Sequence, residues 1–199
     1  IHVAPIACEW ELESSGGKFV ELGIPDSQQK FLLRGRIDRV DILPIDSDYV
    51  DDKMSEVYPL DTELGEFKKP RRLIIIRDIK SIDGTKDNGD NERHLKGIFH
   101  ELQLALYARA WEIAHPGDRV IGVGATQVGI NTLPFLEVDP DYIHLCENME
   151  IGIIGGFTHE HYRLPGDEFD NASNPFRAWM RERITTALRV IEHARNGKI

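Results

Sequence analysis

The stretch LIIIRDIKS, Leu73–Ser81, decides how this chain is read. Its continuous aliphatic run, Leu73–Ile76, is that of a strand covered on both faces. Side chains alternate along a strand, so Asp78 and Lys80 emerge side by side from one face at its end. Packing does not call for a carboxylate and an ammonium there. Taken alone, the pair fits a structural ion pair at a strand end as well as it fits a functional site.

Upstream, CEWELES, the Gly16-Gly17 step and KFVELGI alternate and turn as hairpin strands do. KFLLRGRIDRVDILP continues as one long strand ended by Pro44, so the first third reads as antiparallel sheet. The acidic segment that follows contains Pro59, Gly65 and Pro70 and reads as an insertion over about residues 46–72. Its other reading is a solvated loop.

Downstream of LIIIRDIKS, DGTKDNGDNERH is a polar loop. From about His94 to His115 the period becomes helical: Leu95, Ile98, Phe99, Leu102, Leu106, Ala110 and Ile113 form an apolar stripe that Pro116-Gly117 stops. Lys96, His100, Gln103 and Tyr107 form a polar stripe on the same helix. RVIGVGATQVGI reads as a further strand, and IHLCENMEIGIIGGF is ambiguous. Asn174 and Pro175 open a last helix, PFRAWMRERITTALRVIEHAR, capped by Gly197. Its Arg177, Arg181, Arg183 and Arg189 read as solvated or as phosphate contacts, and Trp111 and Trp179 as core. His159 and His161 read as surface or packing residues. Strands, helix, strand, helix in that order predict an α/β domain with a mixed central sheet and helices packed against it.

Composition agrees with one globular domain over residues 1–199: the chain has 199 residues, 41% hydrophobic and 29% charged. No apolar run approaches the roughly 20 residues of a membrane helix, and the N-terminus lacks signal-peptide character. A soluble, cytoplasmic protein without a membrane partner is expected. The missing initiator Met and an opening in mid-pattern predict a piece of a longer protein. Cys8 and Cys146 are far apart and lack CxxC spacing, so they form neither a disulfide scaffold nor a self-contained zinc site and read as buried thiols. The net charge of -10 disfavours coating nucleic acid by bulk electrostatics. It leaves room for a local basic groove or for carboxylates that need a cation.

Such carboxylates are at hand. In GRIDRVD, Asp38 follows a glycine and an isoleucine in an apolar setting like that of Asp78. If the two strands pair, with the acidic insertion hanging from their connection, the carboxylates converge. Convergent carboxylates with few neutralising neighbours call for a hard divalent cation such as Mg2+. Lys80 is then placed to orient or help deprotonate a water, or to stabilise charge on a phosphate.

In order, LLRGRIDRVD, LIIIRDIKS and ELQLALYARAWE resemble the nuclease domain of the PD-(D/E)XK superfamily, in particular the RecB-like branch that includes the RecB and AddB helicase-nuclease subunits. In that family a glycine-x-hydrophobic-Asp strand supplies one acid, an Asp-x-Lys strand the second acid and the lysine, and a following helix a Gln-x-x-x-Tyr motif. Asp38, Asp78, Lys80, Gln103 and Tyr107 match in turn. Residues four apart share a helix face, so Gln103 and Tyr107 can reach DNA or Lys80 together.

The resemblance implies a restriction-endonuclease-like core and a Mg2+-dependent deoxyribonuclease, an exonuclease or end-processing enzyme of DNA repair or recombination. Mn2+ would substitute for Mg2+. It implies Asp38, Asp78 and the Ile79 carbonyl as metal ligands, DNA as substrate, and a helicase subunit or domain as partner. Glu9 falls where many relatives carry an acid on the first strand, and a surface glutamate is an equal reading. The chain departs from the family in two places. The upstream helix with a histidine or glutamate ligand is not in it, His2 being a poor substitute. The iron-sulphur cluster of AddB-like relatives would belong to the parent protein, since neither Cys8 nor Cys146 lies in a cysteine cluster. The alternative is a catalytically inactive relative, a DNA-binding or structural partner of a helicase.

Overall fold

A computed structural model of the chain describes residues 4–14, 18–23, 30–43, 72–81, 98, 100–128, 133–146, 153–156 and 174–198. LIIIRDIKS lies in β6, Arg72–Ser81, near the middle of a mixed six-stranded sheet. Its companions are β1 (Ala4–Glu11), β5 (Arg36–Leu43), β7 (Asp118–Val128), β8 (Leu133–Val138) and β9 (Ile153–Gly156), in the order β1-β5-β6-β7-β8-β9. β5 runs antiparallel to both β1 and β6, whereas β6 and β7 are parallel. β7–β8 is antiparallel and β8–β9 parallel. A parallel pair needs a crossover, and here it is the helix α1, Leu102–Ala114.

Residues Leu73, Ile74, Ile75 and Ile76 are each 0% exposed, as their continuous aliphatic character predicts. On one face, Ile74, Ile76 and Val123 pack under Leu104, Ala108 and Trp111 of α1 and under Phe176, Trp179 and Ile184 of α3, Pro175–Arg195. On the other, Leu73, Ile75, Ile121 and Val138 meet Tyr142 and Cys146 around the short helix α2, Ile143–Cys146. Each fully buried aliphatic contributes about 1.5–3 kcal/mol. Trp111 and Trp179 are core residues as expected.

The long strand expected over KFLLRGRIDRVDILP is two strands. β4, Lys30–Leu33, joins β2 (Glu13–Ser14) and β3 (Lys18–Gly23) in a separate three-stranded sheet, and β5 begins after Arg34-Gly35. At the break the Leu12 amide donates to the Gly35 carbonyl at 3.0 Å, so this backbone leaves one sheet and enters the other. The expected helix starts later than His94, at Leu102, with Glu101 extended at the N-cap and its amide donating to Ile98 O at 3.3 Å. Leu95, Lys96 and Phe99 lie outside the described residues, as do the acidic insertion apart from Arg72, the polar loop after Ser81, His159 and His161.

The last helix has the expected ends. Asn174 Oδ1 accepts from the Arg177 amide at 3.0 Å, with Pro175 in the first turn. At the other end Gly197 adopts φ 63, and the bonds Gly197 N to Ala194 O (3.1 Å) and Lys198 N to His193 O (2.9 Å) close a Schellman motif.

Two of its arginines are not solvated. Arg177 and Arg183 are buried, because this part of α3 is wedged against α1. Arg177 Nη1 bonds Glu112 Oε1 of α1 at 2.8 Å, and the Val120 amide donates to the same oxygen at 2.9 Å. Burial works against the Glu112 carboxylate, yet Arg177 and Arg109 hold its pKa below the ordinary value. The thiols also divide. Cys146 is buried and its thiol is pushed up to about 11 by burial, whereas Cys8 is exposed on the edge strand β1. Among the described residues no helix is long and apolar enough to cross a membrane.

Candidate active site

The antiparallel ladder between β5 and β6 pairs Leu43–Leu73, Ile42–Ile74, Asp41–Ile75, Val40–Ile76 and Arg39–Arg77. One residue further along each strand, Asp38 stands opposite Asp78. Alternation puts both on the face of Val40 and Ile76, the face that α1 covers. The strands are tied across this point by the Ile79 amide, which donates to Asp38 Oδ2 at 2.8 Å. The convergence expected of the two acids is present.

Asp78 is 7% exposed. Its Oδ2 lies 2.5 Å from Lys80 Nζ, from the same face of the same strand. Burial raises the Asp78 carboxyl above its ordinary pKa, the Lys80 ammonium opposes this, and the Asp38 carboxylate adds to it. Lys80 is raised in turn by its bond to Asp78, against the effect of burial, with the charges of Asp78, Glu101 and Asp38 adding to the rise.

The helix supplies the other two expected residues. Gln103 Nε2 donates to Tyr107 Oη at 2.7 Å, so the two side chains form one unit along a helix edge. Gln103 is exposed and Tyr107 is buried in the main core. The Tyr107 ring rests against Gly35, where an added Cβ would sit 3.2 Å from Tyr107 Oη, 3.3 Å from its Cε1 and 3.1 Å from Leu12 Cδ1. The glycine three residues before Asp38 thus lets α1 approach the strand that carries the acid.

Glu9 occupies a special place. It lies between the pairs Cys8–Arg39 and Trp10–Ile37, hence opposite Asp38, in a left-handed backbone with φ 50 that is uncommon for a non-glycine residue. Its exposed carboxylate pairs with Arg36 Nη1 at 3.6 Å. His2 lies outside the described residues. A residue that the sequence reading missed is Glu101, half-buried at the N-cap of α1, whose side chain makes no capping bond and whose charge acts on Lys80. The available signal was its position two residues before Gln103.

Two neighbouring carboxylates, one of them buried where its charge is disfavoured, fit a cation that takes one or two carboxylates and keeps several waters, as Mg2+ does. Among the described residues no group of three or more His, Cys, Asp and Glu side chains is placed to hold a metal ion. A softer ion that demands a full set of protein ligands fits less well.

No protein-family model and no curated protein matches the chain.

Proposed function

We propose that this chain is a Mg2+-dependent deoxyribonuclease of the RecB-like PD-(D/E)XK type, with a restriction-endonuclease-like core. The observation that carries this reading is the opposition of Asp38 and Asp78 across β5 and β6, with Lys80 beside them on the same face. Asp38 and Asp78, with the Ile79 carbonyl, would hold the cation. Mg2+ or Mn2+ supplies charge that offsets the phosphate and acidifies a water.

The protein's own groups then have defined tasks. Lys80, as an ammonium, donates hydrogen bonds to a phosphate oxygen, where negative charge grows as the water oxygen bonds to phosphorus and loses its proton to solvent, while the P–O ester bond breaks and the leaving oxygen takes a proton from solvent. Gln103, fixed by Tyr107, is the exposed donor on the helix side and orients the strand being cut. Exonuclease or end-processing action in DNA repair or recombination, a helicase subunit or domain as partner, and a cytoplasmic location belong to the same proposal.

A second reading has one observation in its favour: among the described residues no third His, Cys, Asp or Glu side chain joins the two acids. On that reading the domain is an inactive DNA-binding or structural partner of a helicase.

One experiment separates the two. End-labelled single- and double-stranded DNA is incubated with the protein in Mg2+ or Mn2+, beside Asp78→Ala and Lys80→Ala. Metal-dependent cleavage lost in both variants is the expected result. Absence of cleavage by the wild type, with DNA binding indifferent to metal and to Asp78→Ala, would leave the inactive reading.

A further inference from the structure

Each candidate acid has an arginine as its immediate neighbour: Arg39 follows Asp38, and Arg77 precedes Asp78. Alternation turns both guanidinium groups to the far face of the sheet, behind the site. There the register makes Arg39 and Arg77 direct cross-strand partners. Like charges placed opposite one another in a sheet are unfavourable.

Asp41 resolves the conflict. It is 0% exposed; its Oδ1 accepts from Arg39 Nε at 2.8 Å, and its Oδ2 pairs with Arg77 Nε at 2.8 Å. Arg77 is buried with it, and burial lowers the guanidinium pKa while Asp41 opposes and Arg39 assists that shift.

β6 offers three successive isoleucines, Ile74–Ile76, to Val40, Asp41 and Ile42. A slip of two residues that moves Val40 from Ile76 to Ile74 keeps every side chain on its face but sets Asp41 against Leu73, away from Arg77, whereas the opposite slip keeps Asp41 beside Arg77 and sets Asp78 against Val40. Either slip would set Asp38 against Ile76 or Lys80 and dissolve the acidic pair. A buried ion cluster adds little net stability over apolar packing, and specifying register is its best attested use.

We propose that Asp41 is a positioning residue for the site: by binding Arg39 and Arg77 together, it fixes the β5–β6 register that sets Asp38 against Asp78 on the opposite face. Its consequence for metal binding rests on the nuclease reading, whereas the register effect does not.

The test uses the full chain and two readouts. The first is hydrogen exchange of the Ile79 amide, whose bond to Asp38 crosses the aligned strands, expressed relative to Val123 in β7 so that global stability cancels. The second is Mn2+ affinity by titration calorimetry. The variants are Asp41→Asn, the apolar triple Arg39→Met/Asp41→Met/Arg77→Met, and Leu136→Ala as a core control that leaves Arg39, Asp41 and Arg77 in place. Expected are a tenfold or greater loss of relative Ile79 protection and of Mn2+ affinity in the first two, and changes within twofold in the control. Should Asp41→Asn fail to fold, the triple variant decides. Wild-type protection and affinity in the triple variant would overturn the proposal, as would equal losses in Leu136→Ala. If the wild type binds no Mn2+ while Ile79 protection still falls as expected, the metal reading fails and the register role stands.

Discussion

Gly35 lies against Tyr107: an added Cβ would come within 3.2 Å of the phenolic oxygen that accepts from Gln103. The strand bearing Asp38 and the helix bearing Gln103 are therefore spaced by the absence of a side chain.

Gly35→Ala forces the ring and Leu12 to give way. It is expected to cost about 1–3 kcal/mol of stability, the usual penalty of overpacking. Cleavage should fall further than the melting temperature accounts for, because Gln103 moves with Tyr107. Tyr107→Phe keeps the ring and loses the hydroxyl, at a cost of about 1 kcal/mol. Thermal melts and cleavage assays on both variants check this; a Gly35→Ala protein with undiminished cleavage would show that the helix spacing does not matter.

Burial, aided by Asp38 and opposed by Lys80, raises the Asp78 carboxyl. A group raised in the folded state lends stability at acid pH and loses it as pH rises through its folded value. At pH 7 without metal, Asp78→Asn is therefore expected to melt no lower than the wild type. A cation that binds the native site adds about 2.7 kcal/mol at one hundred times its Kd. Mn2+ should raise the wild-type melting temperature and leave Asp38→Ala and Asp78→Asn unmoved. Scanning calorimetry with and without Mn2+ provides the check.

Glu101 is one of three carboxylates acting on the Lys80 ammonium. When a cation takes up the charge of Asp38 and Asp78, Glu101 remains to hold the ammonium near the helix. Glu101→Gln should lower kcat about two- to fivefold, matching the ~0.5–1 kcal/mol of a partly exposed charge interaction. Mn2+ affinity should stay within twofold. Steady-state kinetics and metal titration together test it, and a weakened metal site with normal kcat would argue that Glu101 is a ligand.

Glu137 on β8 is 9% exposed, and burial pushes its carboxyl up to about 7. The folded protein favours the protonated form, so stability is greatest below the ordinary glutamate value and declines as pH rises through about 7. The full effect is about 3 kcal/mol between those limits. Glu137→Gln should flatten this part of the stability profile and melt higher at pH 8. Urea unfolding from pH 4 to 8 measures it; an unchanged profile would mean that another group carries the dependence.

Local pattern was enough for several features. Continuous aliphatics announce β6 and its burial on both faces, alternation places Asp78 and Lys80 together, and the four-residue step joins Gln103 to Tyr107. Asn174-Pro175 and Gly197 mark the ends of α3. These depend on backbone geometry within a few residues, which the sequence by itself determines. The pairing of β5 with β6 was legible only as a condition, since the partner of a strand and its register are set by contacts across the sheet, among them those of Asp41 with Arg77 and of Asp38 with the Ile79 amide. The close approach at Gly35 is to Leu12 and to Tyr107 of the distant helix α1. Burial of Arg177 depends on Glu112 of α1, and exposure of Cys8 on β1 being an edge strand. In each of these the deciding contact is with a distant part of the chain, and periodicity carries no record of which distant part will arrive; only the tertiary structure decides it.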